Sequence, residues 1–168
     1  GNGYHASKLI MIEFGTTPSV GFVTTEIYGS FTTTFTITTQ PYGTTTVKAQ
    51  WYEPYIWAEG TLTIRPQVLL VTPSHGTVGE TIMVRGNGYG ATENIIIQFG
   101  NTRTHNITTT DAFGSWTTTF TINRQQFGST TITAVGSSSA QSAVNHFRIE
   151  AKITLVTPPI GIVGSFVT

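Results

Sequence analysis

Four histidines, one aspartate and a crowd of serines and threonines are the residues of this chain that could do chemistry. His5, His75, His105 and His146 share no spacing that would bring two imidazoles to one metal ion, and no two of them occupy matching places in the internal repeat described below. They read as surface or turn residues. Asp111 is the only aspartate, so a calcium site would have to use Glu and backbone carbonyls alone. A serine nucleophile needs a base and an acid beside it, yet no G-x-S-x-G turn occurs and no His and acid recur with any serine. Gly1-Asn2-Gly3-Tyr4 is glycine-rich but leads into no helical pattern, so it reads as a backbone turn and not a phosphate cradle. The expectation is no catalytic residue, no metal and no cofactor. Asn106-Ile107-Thr108 is an N-glycosylation sequon. Clustered threonines could carry O-linked sugars, and a neutral polar strand surface accounts for them equally well.

The elements that would position such residues come from a repeat. Gly1-Asn2-Gly3-Tyr4 returns as Gly86-Asn87-Gly88-Tyr89, and from there the chain aligns with itself without a gap at an offset of 85, with 34 of 83 pairs identical. Repetition at a fixed period marks one structural unit used twice. Each unit alternates apolar residues with period two: Ile10, Ile12 and Phe14 match Ile95, Ile97 and Phe99, while Phe31, Phe35 and Ile37 match Trp116, Phe120 and Ile122. Val47 with Ala49 and Leu62 with Ile64 continue the pattern, matched by Ile132, Ala134, Phe147 and Ile149. Gly and polar clusters fall between these runs, and no window has helical spacing. About seven short strands per unit predict an all-β chain of two tandem immunoglobulin-like antiparallel β-sandwich domains.

Composition narrows the partners. Charged residues are 10% of the chain, the formal net charge is zero, and no Lys/Arg cluster exists, which disfavours nucleic acid and anionic membranes. Threonine, at 34 of 168 residues, favours the half-buried surface of a sheet. Cysteine is absent, and no segment reaches the roughly 18 apolar residues of a membrane helix, so membrane insertion is not expected.

Leu70-Val71-Thr72-Pro73, Gly76, Gly79, Ile82 and Val84 before Gly86-Asn87-Gly88-Tyr89, then Ile95, Ile97, Phe99-Gly100, Asp111 and Gly114-Ser115-Trp116, resemble the tandem immunoglobulin-like repeats of prokaryotic cell-surface proteins, and are similar to the IPT/TIG group. The resemblance covers essentially the whole chain. It implies the sandwich fold and an extracellular, cell-surface location; its motifs are turn glycines and core positions, which imply no particular activity.

The phase of the repeat is its most informative property. Residues 67–151 make a complete unit; residues 1–66 lack its first two strands, and 152–168 are those strands with no domain behind them. The expected acceptor core is Ile10, Ile12, Phe14, Phe35, Ile37, Val47, Leu62 and Ile64, exposed along open sheet edges. The expected donor residues are Ile153, Leu155, Val156, Ile160, Ile162, Val163, Phe166 and Val167. Two arrangements satisfy both ends: a longer covalent array, or donor-strand complementation between chains. Each repeats head to tail without closing, hence a fibre built from copies of itself. A fold-back of the C-terminal segment onto its own first unit would have to span the second.

One segment breaks the repeat. Gln50-Trp51-Tyr52-Glu53-Pro54-Tyr55-Ile56-Trp57 faces a Ser-rich counterpart at 135–142, and alternation points Tyr52, Tyr55 and Trp57 outward. Three exposed aromatics fit either a contact with a neighbouring chain or stacking on glycan rings. The functional expectation is a non-enzymatic structural protein of a filament, stalk or surface layer. Its alternatives are an adhesin or carbohydrate-binding module, and a stalk domain of a surface hydrolase.

Overall fold

A computed structural model describes residues 1–168. The chain is all-β, with twelve strands and no helix. β1 (Leu9–Phe14), β2 (Thr17–Thr24), β3 (Gly43–Tyr52) and β4 (Tyr55–Ile64) form one antiparallel sheet in the order β2-β1-β3-β4. The remaining strands are β5 (Gln67–Thr72), β6 (His75–Thr77), β7 (Thr81–Asn87), β8 (Asn94–Phe99), β9 (Thr102–Thr109), β10 (Trp116–Thr121), β11 (Gly128–Gly136) and β12 (Ser142–Glu150). They build two sheets, β10-β7-β5 and β6-β12-β11-β8-β9, antiparallel except where β6 runs parallel to β12. This second unit is a sandwich of immunoglobulin type, with eight strands where about seven were expected.

Its core follows from the period-two pattern. Ile95, Ile97 and Phe99 of β8 and Ile132 and Ala134 of β11 project from one sheet, Val84 and Phe120 from the other, and they meet in a cluster of 15 buried residues. Phe99 packs edge-on against Phe120 and Phe147, with centroids 5.5 and 5.9 Å apart. Tyr89 is fully buried, and its hydroxyl donates to the Ala134 carbonyl at 3.0 Å, so the one polar atom of that ring is satisfied. Burial pushes its ionisation far above the ordinary phenol range.

The first unit has the same sheet and no sheet opposite it. Its core cluster holds only Tyr4, Ile10 and Ile12 as buried members, with half-buried Phe31, Phe35, Val47 and Ala49 around them. The expectation that all eight acceptor residues lie exposed is corrected here. Ile10, Ile12, Phe14 and Ile64 are buried within the chain itself, Phe35, Val47 and Leu62 are half-buried, and only Ile37 is exposed. The cause is the segment after β2, which lies over the sheet and is pinned by Gln40. That buried side chain donates from Nε2 to the Phe14 carbonyl and accepts at Oε1 from Thr16 N–H, both at 3.4 Å.

From Ala151 to Thr168 every residue is exposed and none is in a strand, so this segment does not fold back onto the first unit.

Candidate strand-acceptor site

The six residues Thr32 to Ile37 and Thr117 to Ile122 are the same sequence in two settings. In the second unit the first five of them lie in β10, whose pairs run from Trp116↔Gly86 through Thr119↔Met83 and Phe120↔Ile82 to Thr121↔Thr81. In the first unit the pairing stops after one step. Phe31 N–H donates to the Gly1 carbonyl at 2.9 Å and the Gly1 amine donates to the Phe31 carbonyl at 2.8 Å, matching Trp116↔Gly86. Beyond that pair, no backbone group from Thr32 to Thr39 makes a backbone hydrogen bond. Identical side chains therefore cannot explain the difference; the neighbouring strand does. Strand propensity alone does not hold an edge that lacks its ladder.

Beside this unpaired run lies a cleft of about 460 Å³, walled by Tyr4, Ile12, Phe31, Phe35 and Val47 among others. It opens where β7 lies in the second unit. An apolar trough flanked by free backbone N–H and C=O groups is what an added strand needs: ladder bonds for affinity and side-chain pockets for register.

The C-terminal segment already has the shape of such a strand pair. Thr157 N–H donates to the Thr168 carbonyl and Thr168 N–H to the Thr157 carbonyl, each at 2.9 Å, reproducing Thr72↔Met83 between β5 and β7. Ser165 N–H donates to the Ile162 carbonyl at 2.9 Å, and Ile162 N–H to Ser165 Oγ at 3.1 Å. The counterparts are Glu80 N–H to the Thr77 carbonyl and Thr77 N–H to Glu80 Oε2. The donor list narrows when mapped on the complete unit. Ile153, Val156 and Val167 stand where Val68, Val71 and Ile82 are buried. Leu155, Ile160, Ile162, Val163 and Phe166 stand at Leu70, His75, Thr77, Val78 and Thr81, none of which is buried. In this chain all three are exposed; burying them would supply roughly 5 to 9 kcal/mol at about 1.5 to 3 kcal/mol each, on the scale of a small domain's whole stability.

Tyr52, Tyr55 and Trp57 are each about half exposed and form a fixed shelf at the end of the β3–β4 hairpin. Gln50, buried on the outer face beneath them, donates to Tyr52 Oη at 2.6 Å and to Glu13, and accepts from Tyr55 Oη at 3.2 Å. Lys48 Nζ donates to Tyr55 Oη at 3.0 Å and lies 5.4 Å from the Trp57 centroid; the hydrogen bond to Tyr55 raises its ionisation above the ordinary lysine value. Trp51 and Ile56 turn inward against the small core.

Asn106 is engaged. Its Nδ2, the atom a glycan would take, donates to Thr118 Oγ1 at 2.8 Å and to the Thr119 carbonyl at 3.0 Å. Nor do the histidines converge: His105 Nε2 bonds the Thr121 carbonyl at 2.8 Å and His5 packs on Trp51. No group of three or more His, Asp or Glu side chains is placed to hold a metal ion.

Two residues matter here that sequence patterning passed over. Phe127 is exposed beside Arg148, and Glu93 is buried, its carboxylate accepting from Gly90, Ser138 and Ser139 N–H and from Ser139 Oγ. The aromatic preceding Gly128, matched by Tyr42 before Gly43, was the available signal for the first. Glu93 had none, since its partners Ser138 and Ser139 lie 45 and 46 residues away and its counterpart is Lys8.

No protein-family model matches the chain, and no curated protein matches it by sequence. Among solved structures, it is similar to the BSP domain of a biofilm-associated protein, at 16% identity and a TM-score of 0.35, over 86% of this chain and 25% of that one. It thus spans about a quarter of that protein's length. The fibronectin(III)-like modules of Clostridium thermocellum CbhA match at 15% identity and a TM-score of 0.32, over 90% of both chains. Domains 4 and 5 of the S-layer protein SbsC match at 16% identity and 0.27, over 89% of this chain and 74% of that one. The fold assignment stands on the strand pairing and core described above.

Proposed function

We propose that this chain is a non-enzymatic structural protein of an extracellular, cell-surface fibre, in which Ile153–Thr168 of one copy completes the first unit of the next by strand exchange. The observation that carries the reading is the run Thr32–Thr36, which repeats Thr117–Thr121 of β10 residue for residue and lacks only the strand that β10 has. The C-terminal segment is the counterpart of β5, β6 and the first three residues of β7, is closed into a hairpin by two backbone hydrogen bonds, and makes no hydrogen bond to the rest of the chain. The register follows from the repeat: Thr168 opposite Thr34, Val167 opposite Phe35 and Phe166 opposite Thr36. Such a contact is heterologous and does not close, so it propagates.

Removing Ile153–Thr168 tests this. The shortened chain is expected to stay dispersed with its second unit folded, and a synthetic peptide of residues 153–168 to bind it. Fibres of normal appearance from the shortened chain would refute the exchange. Fibres dissociated in hot detergent are expected to yield separate chains; a polypeptide in which the repeat runs on after Thr168 into the next Gly-Asn-Gly-Tyr would establish a covalent array in its place.

A second reading, adhesion or glycan binding, is favoured by the shelf of Tyr52, Tyr55 and Trp57 held by Gln50 and Lys48. Replacing all three aromatics by Ala separates the two: loss of glycan binding with fibres intact supports adhesion.

A further inference from the structure

The joint between the two units inside one chain is a template for a joint between chains. β4 passes to β5 through Arg65 and Pro66 alone, and Gly88 sits so close under the Arg65 carbonyl that a Cβ there would collide with it. Tyr42 N–H donates to the Tyr89 carbonyl at 2.8 Å. Next to that bond, Tyr42, Thr63 and Pro66 of the first unit and Gln141 and Ser142 of the second line one cleft of about 330 Å³.

The repeat gives each of these residues a counterpart, and across the would-be joint the counterparts lie at opposite ends of the chain. Phe127 corresponds to Tyr42 and is 67% exposed; Trp57 corresponds to Ser142 and is 51% exposed. The Tyr4 carbonyl, counterpart of that of Tyr89, accepts no backbone hydrogen bond. Gly3 has the same left-handed conformation as Gly88, with φ of 82°, and nothing lies within 4 Å of where its Cβ would be. The stretch from Ile149 to Ile153 has the length of that from Ile64 to Val68.

We infer that the joint between successive copies repeats the internal one and is sealed by Trp57 of one copy against Phe127 and Arg148 of the copy before it. This rests on the strand exchange proposed above, because the inserted segment sets the two units at the internal spacing. Phe127 N–H then donates to the Tyr4 carbonyl of the next copy, and the Glu150 carbonyl fills the space over Gly3. Arg148 already lies 5.8 Å from the Phe127 centroid, and a second ring on its free side adds a further cation–π contact. The same arrangement explains why the hairpins differ. Within a chain the peptide link through Pro66 holds the units, and Ser142 suffices. Between chains the inserted segment has no peptide bond to the unit it completes, so added contact area at the joint strengthens the hold, and Trp supplies it with little side-chain entropy to lose.

Residues 1–168 contain no cysteine, so thiols introduced there report without background from them. Thr34→Cys with Thr168→Cys, treated after assembly with a short bismaleimide, reads the strand exchange. In parallel, a photoreactive p-benzoylphenylalanine in place of Trp57 keeps an aromatic ring and, in fibres mixed from isotope-labelled and unlabelled chains, links to what it touches. The expected results are a ladder of linked chains from the first and interchain peptides containing Phe127 or Arg148 from the second. A ladder without those peptides overturns this inference and leaves the exchange standing; no ladder overturns both. Trp57→Ser, which installs the second unit's residue, is expected to raise the concentration needed for assembly about tenfold or more, and an unchanged concentration also overturns the inference.

Discussion

Thr157 and Thr168 exchange two backbone hydrogen bonds of 2.9 Å in a segment with no hydrogen bond to the rest of the chain, at the positions where Thr72 and Met83 close β5 onto β7. Under the proposed exchange, the segment would thus enter its acceptor with this closing pair already made. Ordering a free segment on binding consumes part of the interaction energy, and a preformed hairpin avoids much of that loss.

Val167 is the residue on which insertion turns. It is 60% exposed in the free chain, and its counterpart Ile82 is 1% exposed in the complete unit. Val167→Asp is expected to leave the melting of the dispersed chain within about 0.5 kcal/mol of its parent, as surface changes do. It is expected to abolish fibres, because a carboxylate would enter the core unpaired. Electron microscopy and a thermal melt on one preparation check both halves; normal fibres would sink the assigned register.

Phe35 and Phe120 offer a matched comparison. In the dispersed chain Phe120→Ala is expected to cost about 3 to 5 kcal/mol, the usual range for a core phenylalanine. Half-buried Phe35 is expected to cost no more than about 2 kcal/mol, having less area to lose. Denaturant titration gives both numbers, and equal costs would mean that the first unit is already closed.

Hydrogen exchange reads the same asymmetry without mutation. The Thr118 and Phe120 amides, which face β7, are expected to be protected in dispersed chains, and the Thr33 and Phe35 amides to exchange freely. On assembly the Phe35 amide is expected to become protected, because it faces Val167 of the inserted segment. Free exchange of the Phe35 amide in fibres would place the inserted strand elsewhere.

The alternation of Ile95, Ile97 and Phe99 announces a buried strand because burial there depends only on which face a side chain occupies, and the sheet confirms each one. The phase of the repeat likewise exposes the unmatched lead-in. What could not be read was contact between distant segments. Gln40 pins a loop over β1 from 26 residues away, and with the Thr17–Thr38 hydrogen bond, the Phe31–Gly1 pair and Phe35 packed on Phe14 it keeps Ile10, Ile12 and Phe14 covered although the opposing sheet is missing. Gln50 sits on an outward position and is nevertheless buried, because Tyr52, Tyr55 and Glu13 close over it. No local pattern encodes either.

Acid should act on the second unit through Glu93. Burial raises its ionisation, but hydrogen bonds from the Ser139, Gly90 and Ser138 backbone and from the Ser139 hydroxyl outweigh that and hold it below its ordinary value of 4.5. A carboxyl group with a depressed folded value contributes stability that is fully present above its unfolded value. That contribution is lost as pH falls through the folded value. Stability of the second unit is therefore expected to be flat, as far as this group is concerned, at neutral pH and to decline below about 4.5. Glu93→Gln is expected to lower it by about 1 to 3 kcal/mol at neutral pH and to flatten the acid decline. An identical acid profile in the variant would assign the decline to other groups.

Salt should scarcely touch the fibres. The donor Ile153–Thr168 contains no charged residue, and the trough it is proposed to fill is mainly apolar, with Glu59 at its rim. Screening weakens contacts between charges and leaves apolar burial unchanged, whereas sulfate strengthens burial through exclusion from the protein surface. The concentration needed for assembly is expected to stay within about twofold between low and molar sodium chloride, where a screened surface pair contributes at most about 1 kcal/mol. It is expected to fall in ammonium sulfate. Sedimentation across a salt series measures it, and a steep rise with sodium chloride would show that charge pairs, and not the buried faces of Ile153, Val156 and Val167, hold the copies together.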